Sequence, residues 1–272
     1  MAQHTLRNGQ SATVAAHQWD GDTLAFAGTS GAATPPPAVT FTGPDTLSGV
    51  TDTGTASTTG AATISLSPGA ALVTNGLTVN DAMLSISQRP GTSVTFDGIS
   101  QISNGSTLTA TGYAGAGAET VNGTMSIDGT STANLDYVSI AGTGTFHLTA
   151  PGALLRVGTV GAGETVKLDG GMLSLTNGMS FLGTITDSAP ATSRIGSTAS
   201  VAVYNALNAV QETFDQTTGM LSLFTAQGTE VANLKFAGTG ALYAAPTTGL
   251  ATNYMAITSH PSTGALHVTM TH

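Results

Sequence analysis

Four aspartates, Asp97, Asp128, Asp136 and Asp169, are the residues of this chain whose type and spacing could support acid–base chemistry. Clustered carboxylates beside a base cleave glycosidic bonds, one group giving a proton while another receives one. Acids spaced by whole coils of a solenoid would fall on one face. Three of the four, however, precede glycine, as Asp97-Gly98, Asp128-Gly129 and Asp169-Gly170. Aspartate next to glycine is a turn signature, in which the carboxylate bonds to nearby backbone and the glycine supplies positive φ. The sequence therefore predicts no catalytic residue, and a polysaccharide-degrading enzyme is the weakest of three functional readings.

The remaining candidates for chemistry are sparse. A structural calcium ion could find closely spaced oxygen ligands at Asp20-Gly21-Asp22 or among loop acids; no other cofactor is called for. The histidines at 4, 17, 147, 260, 267 and 272 show no metal-binding spacing. Trp19 with Tyr113, Tyr137, Tyr204, Tyr243 and Tyr254 could stack on sugars, although aromatics are only 5% of the chain and core filling is the commoner use. Thr51-Asp52-Thr53 and Thr107-Leu108-Thr109 do not recur at a coil period, which argues against an ice-binding threonine array. Phosphate-loop, dinucleotide, zinc-protease and nucleophile-elbow motifs are absent.

Charge narrows the partners. Lys and Arg number six, at Arg7, Arg89, Arg156, Lys167, Arg194 and Lys235, and the net charge is -9. Without a basic face there is little to hold nucleic acid or an anionic membrane. No apolar run is long enough to span a bilayer. Residues 1–10 lack the basic and apolar regions of a secretory leader, so export would rely on a removed leader or on a signal elsewhere. The absence of Cys excludes disulfides and thiol chemistry.

The elements that must position all this are short strands. Period-two alternation recurs in bursts such as Thr63-Ile64-Ser65-Leu66, Ser93-Val94-Thr95-Phe96 and Thr165-Val166-Lys167-Leu168. Between the bursts sit Pro68-Gly69, Asn75-Gly76, Pro90-Gly91, Asn104-Gly105 and Asn122-Gly123. The phrase Met-Leu-Ser-Ile/Leu begins at Met83, Met172 and Met220 without a strict period. Degenerate repeats of this kind predict an all-β fold with a right-handed parallel β-helix body. Residues 1–60, broken by Pro35-Pro36-Pro37, read as an N-terminal arm and cap. Residues 61–187 read as the solenoid body, and 188–272, with longer strands, as an antiparallel cap. The stretch from Ala199 to Thr213 is read as strands.

The phrases Val160-Gly161-Ala162-Gly163-Glu164-Thr165-Val166-Lys167-Leu168-Asp169-Gly170-Gly171-Met172-Leu173 and Phe181-Leu182-Gly183-Thr184-Ile185-Thr186, with Gly228 to Gly238 and Gly264 to Thr269, are distinctive. They resemble repeats and terminal modules of bacterial autotransporter passengers and type I-secreted adhesins. That resemblance implies a scaffold or adhesive role outside the cell or at its surface. Few lysines guard the strand edges, which points to a homopolymeric fibre, sheath or biofilm matrix. Ser11, Thr13, Val14 and Trp19 at one end, and Leu266 and Val268 at the other, are the expected assembly residues. The alternative is an adhesin or carbohydrate-binding module with a surface polysaccharide as partner.

Overall fold

The computed structural model describes residues 1–27, 34–54, 61–112, 118–186, 200–204, 209–215, 217–237, 254–260 and 265–271. The first strands are β1 (Gln3–Arg7), β2 (Ser11–Val14), β3 (Thr23–Ala27), β4 (Ala38–Phe41), β5 (Asp45–Leu47), β6 (Gly49–Thr53) and β7 (Ala62–Leu66). They lead into β8 (Ala71–Asn80), β9 (Met83–Gln88), β10 (Ser93–Ser103), β11 (Thr107–Gly112), β12 (Ala118–Val121) and β13 (Thr124–Ile127). Next come β14 (Thr132–Gly142), β15 (Thr145–Leu148), β16 (Leu154–Val160), β17 (Thr165–Leu168), β18 (Met172–Leu175), β19 (Thr184–Thr186) and β20 (Ser200–Val203). Five more follow, β21 (Ala209–Asp215), β22 (Met220–Thr225), β23 (Glu230–Ala237), β24 (Tyr254–His260) and β25 (Ala265–Thr271).

Strand pairing winds these into a parallel β-solenoid with three faces. The first face stacks β1, β3, β6, the second half of β8, the second half of β10, β13, β15, β17 and β19. The second stacks β2, β4, β7, β9, β11, the start of β14, β16, β18 and β20. The third stacks β5, the first halves of β8 and β10, then β12 and the end of β14. Most of the described strands bury alternate residues, as the pattern in β7 shows: Ala62, Ile64 and Leu66 point inward while Thr63 and Ser65 are half-exposed. Identical inward positions then form columns. On the second face Leu84, Leu108, Ala133, Leu155, Leu173 and Val201 lie one above another, all buried. Each large member contributes roughly 1.5–3 kcal/mol of burial.

Coil length varies along the stack. Successive first-face partners Leu24, Val50, Leu77, Ser100, Met125, Phe146, Val166 and Ile185 are 26, 27, 23, 25, 21, 20 and 19 residues apart. A drifting coil length hides the repeat from any fixed-period inspection. The corner from third to first face tightens around glycine: a Cβ on Gly123 would lie 1.6 Å from the Gly98 carbonyl oxygen, and one on Gly144 would lie 2.5 Å from that of Val121. Asn75-Gly76 and Asn122-Gly123 are corners of this kind. Asn75-Gly76 lies inside β8, where the strand passes from the third face to the first without a hairpin.

The segment read as an N-terminal arm is stacked coil. β1 pairs with β3, and β2 with β4, in the same parallel sense as the rest. The triple proline marks a corner rather than a boundary. Pro35 accepts a hydrogen bond from the Gly9 amide at 2.7 Å, and the chain then enters β4. A corner has few ladder bonds to lose, so proline costs little there.

The C-terminal region does turn antiparallel. β21, β22 and β23 form a meander, with Gly228 at φ 79° between the last two. β25 runs antiparallel to β20 on one side and to β24 on the other, while β23 continues the first face by parallel pairing with β19. The expected strand reading of 199–213 corresponds to β20 and β21, with residues 205–208 outside the described ones.

Candidate interaction surfaces

Among the described residues no strand lies against the outer edge of β1 or of β2. The direction of their backbone groups follows from the inner bonds: the carbonyls of Gln10 and Val14 accept from Ala38 and Thr42, and that of Ala2 from Thr23. In a parallel ladder alternate residues address opposite neighbours. Ser11 and Thr13, and Gln3 and Thr5, therefore turn their N–H and C=O groups outward. The side chains of Ser11 and Thr13 are exposed as well, whereas Val14 is buried in the first coil. Leu6 and Ala12, which point inward, are only partly buried because no coil covers them.

Trp19 is part of this coil's packing. It is 8% exposed, its ring stacks on His4 at 4.1 Å, it meets Phe41 edge-on at 6.0 Å, and its amide donates to Asp45 Oδ2 at 3.1 Å. A ring so enclosed has no face left for a sugar. Among the described side chains no aromatic platform forms: Tyr137 is exposed by itself at 66% and Tyr204 is half-buried, while Tyr113, Tyr243 and the side chain of Tyr254 lie outside what is described.

The Asp20-Gly21-Asp22 carboxylates are occupied by protein. Asp20 bonds to His17 Nδ1 at 2.7 Å and accepts from the Thr46 amide at 2.8 Å. Asp22 accepts from the Ala2 amide and bonds to His4 Nε2 at 3.0 Å. The His17 bond holds the Asp20 carboxyl below its usual range, and the Ala2 amide does the same for Asp22. Asp45, by contrast, is raised by burial, against the Trp19 amide bond. The two Asp20-Gly21-Asp22 acids thus brace the first coil through separate partners, and no group of three or more metal-binding side chains occurs among the described residues.

The four aspartates of the acid–base reading sit at three different corners. Asp97 lies between the third and first faces and accepts from Asn122 Nδ2 at 2.9 Å. Asp128 and Asp169 share the corner after the first face, with Thr149 in the coil between them. Asp128 accepts from the Asn104 amide at 3.3 Å, and Asp169 pairs with His147 at 2.6 Å and Lys167 at 3.6 Å. Asp136 is at the corner after the second face and accepts from Thr176 Oγ1 at 2.9 Å. Each carboxylate ties one coil to another.

Four acids that sequence reasoning did not weigh as acids are buried, Asp45, Asp52, Glu119 and Glu164. Glu119 is 0% exposed; Gln88 Nε2 donates to its Oε1 at 3.0 Å. Burial pushes its carboxyl up to about 8, with Gln88 opposing. Glu164 is 1% exposed, and burial pushes it up to about 7 against the Gly144 amide. Its Oε1 occupies the space that a Cβ on Gly142 would enter, 2.8 Å away. Alternation in Ala118-Glu119-Thr120-Val121 places Glu119 on the inward side with Val121, a signal available in the sequence.

Outward positions form columns too. On the second face Ser11, Ala38, Thr63, Ser85 and Thr109 are in register over five coils. Beside them run Thr13, Thr40, Ser65, Ser87 and Thr111. On the first face Thr124, Thr145, Thr165 and Thr184 make a third column. The two motifs weighed from sequence do not recur in register, since Thr51 and Thr53 meet Thr78 and Asn80, and Thr107 and Thr109 meet Met83 and Ser85; the columns are made of other Ser and Thr positions.

At the far end Leu266 and Val268 are in an interior strand. Leu266 pairs with Val203 and Ser259, and Val268 with Val201 and Ile257, so their backbone groups are used within the chain. Compared with known proteins, the chain matches no protein-family model and no curated protein.

Proposed function

We propose that this protein is a non-enzymatic structural subunit of an extracellular assembly, a fibre, sheath or matrix, built by strand addition at the open N-terminal coil. The observation that carries the reading is the pair of unpaired edges, with Gln3, Thr5, Ser11 and Thr13 presenting donors and acceptors outward. Such edges are normally blunted by lysine, proline or a covering element; β1 and β2 contain no lysine or proline, and Arg7 is their one formal charge. A second copy supplying a strand would satisfy these groups and cover Leu6 and Ala12. The likeness of residues 160–187 and the C-terminal phrases to passenger and adhesin repeats supports a location outside the cell or on its surface. Formal charge on the first coil is sparse, Arg7 against Asp20 and Asp22, which leaves little repulsion where a second copy would dock. The scattered carboxylates, each engaged with neighbouring coils, fit a scaffold better than a hydrolase.

Negative-stain electron microscopy and sedimentation across a dilution series test this. The wild type should form regular assemblies, and Thr5→Pro with Thr13→Pro should leave monomers of unchanged circular dichroism and melting temperature. Proline removes donors that point outward and breaks no internal ladder bond. Monomers of the wild type under every condition, or assembly indifferent to both prolines, would overturn the reading.

A further inference from the structure

The second face holds an outward surface of a different kind from the strand edges. Its two columns of five positions contain only Ser, Thr and one Ala, with no charge and no long side chain. The pairings that build them run without register shift, whereas bulges interrupt both β8 with β10 and β14 with β16. The hydroxyls of Thr13, Thr40, Ser65, Ser85 and Ser87 make no hydrogen bond to another described residue. The array stops where Asn134 and then Arg156 continue the first column with bulkier groups.

Spacing gives this surface a meaning. Rows follow the strands, about 4.7–4.9 Å apart, and neighbouring columns stand two residues apart, about 6.6 Å along a strand. The result is a two-dimensional lattice of hydroxyls and methyls in continuous register. A single exposed hydroxyl bond has a net worth of only about 1 kcal/mol, so liquid water and small solutes gain nothing from the repetition. A crystalline partner whose own oxygens repeat over similar distances in both directions gains from every row at once. Hexagonal ice has such a surface, and the neutrality of the columns matches its lack of charge. Sugars call for aromatic faces and directed amide or acidic groups, which the two columns lack.

We infer that the second face, over its first five coils, binds the surface of ice crystals through the paired hydroxyl columns. This does not depend on the assembly proposed above, because it uses side chains on a face and not backbone at an edge.

Thermal hysteresis and ice-recrystallisation inhibition of the full chain test the inference. The wild type should show both activities. Ser65→Tyr, at the centre of the array, should lower them by more than about tenfold, while Thr120→Tyr on the third face should leave them intact. Both side chains point outward, so unchanged circular dichroism should accompany both variants, and Ser87→Tyr provides a second central substitution. Absence of activity in the wild type, or equal loss in Ser65→Tyr and Thr120→Tyr, would overturn the inference. Binding to microcrystalline cellulose or chitin that is lost in Ser65→Tyr, without ice activity, would also overturn it and make the face a polysaccharide site.

Discussion

The two ends of the solenoid meet solvent in different ways. At the C-terminal end β20 is lined by β25 and β19 by β23, so the last parallel strands have partners on both sides. At the N-terminal end β1 and β2 each have one partner, β3 and β4. In a stack where each coil touches only its neighbours, an uncovered end loses half of its contacts. The chain compensates there with local bonds: His4 to Asp22, His17 to Asp20, and Trp19 stacked on His4. These hold the first coil in shape while leaving its outer edge free. One end is thus closed by strands, and at the other, among the described residues, the edge strands keep one partner each and are braced by local bonds.

Substitutions at matched depths sharpen the comparison, the largest effect being expected mid-stack. Phe146→Ala removes a ring buried between coils and should cost about 3–5 kcal/mol in urea unfolding. Val14→Ala in the first coil should cost less than Val166→Ala, the same truncation of a buried valine in the body, because the end coil can relax. Equal losses would mean that the first coil is as constrained as the middle.

Gly123→Ala comes next, since its Cβ would sit 1.6 Å from backbone of the preceding coil; a loss above about 2 kcal/mol is expected by thermal melting. Gly69→Ala meets open space and bears only the cost of a positive φ, 81°, about 1 kcal/mol.

Proton linkage separates the regions by pH. Glu119 and Glu164 have folded values of about 8 and about 7, above their ordinary 4.5. Their protonated forms are favoured in the fold, so the stabilisation is full below pH 4.5 and is lost as pH rises through 7 and 8. Alkaline melting temperatures should fall in the wild type and flatten in Glu119→Gln. The carboxyls of Asp20 and Asp22 are depressed below 3.8, so their contribution is present above that value and is lost as pH falls further. Acid should therefore loosen the first coil, and alkali the body. Hydrogen exchange mapped at pH 3 and at pH 9 checks this, and the same pattern of loosening at both would contradict it. The acid effect should be the smaller, because both aspartates are at the surface.

Much of the fold was legible because alternation survives in most of the described strands: Thr63 to Leu66 and Thr165 to Leu168 sit in the faces their patterns predict. What escaped depends on register. Thr40, Ser65, Ser87 and Thr111 align only because intervening corners absorb different lengths of chain. Met83 and Met172 share one column, through Thr107, Thr132 and Leu154, while Met220 begins an antiparallel strand; a shared phrase did not always mean a shared place. Pro35 to Pro37 suggested a boundary, since a run of prolines stops strands, yet a solenoid has corners that accept them. The buried acids were readable by parity at Glu119, but Glu164 stands in the position taken by Gly123, Gly144 and Gly183 in other coils, and its burial depends on the gap left by Gly142.

The open edge is tested most directly by amide hydrogen exchange of the N-terminal coil as a function of protein concentration. Amides of Thr5, Ser11 and Thr13 should exchange freely in dilute protein and gain protection as assemblies form, while those of β20 and β25 stay protected throughout. Fast exchange of the first coil at every concentration, or full protection already in the monomer, would contradict an edge built to receive a strand.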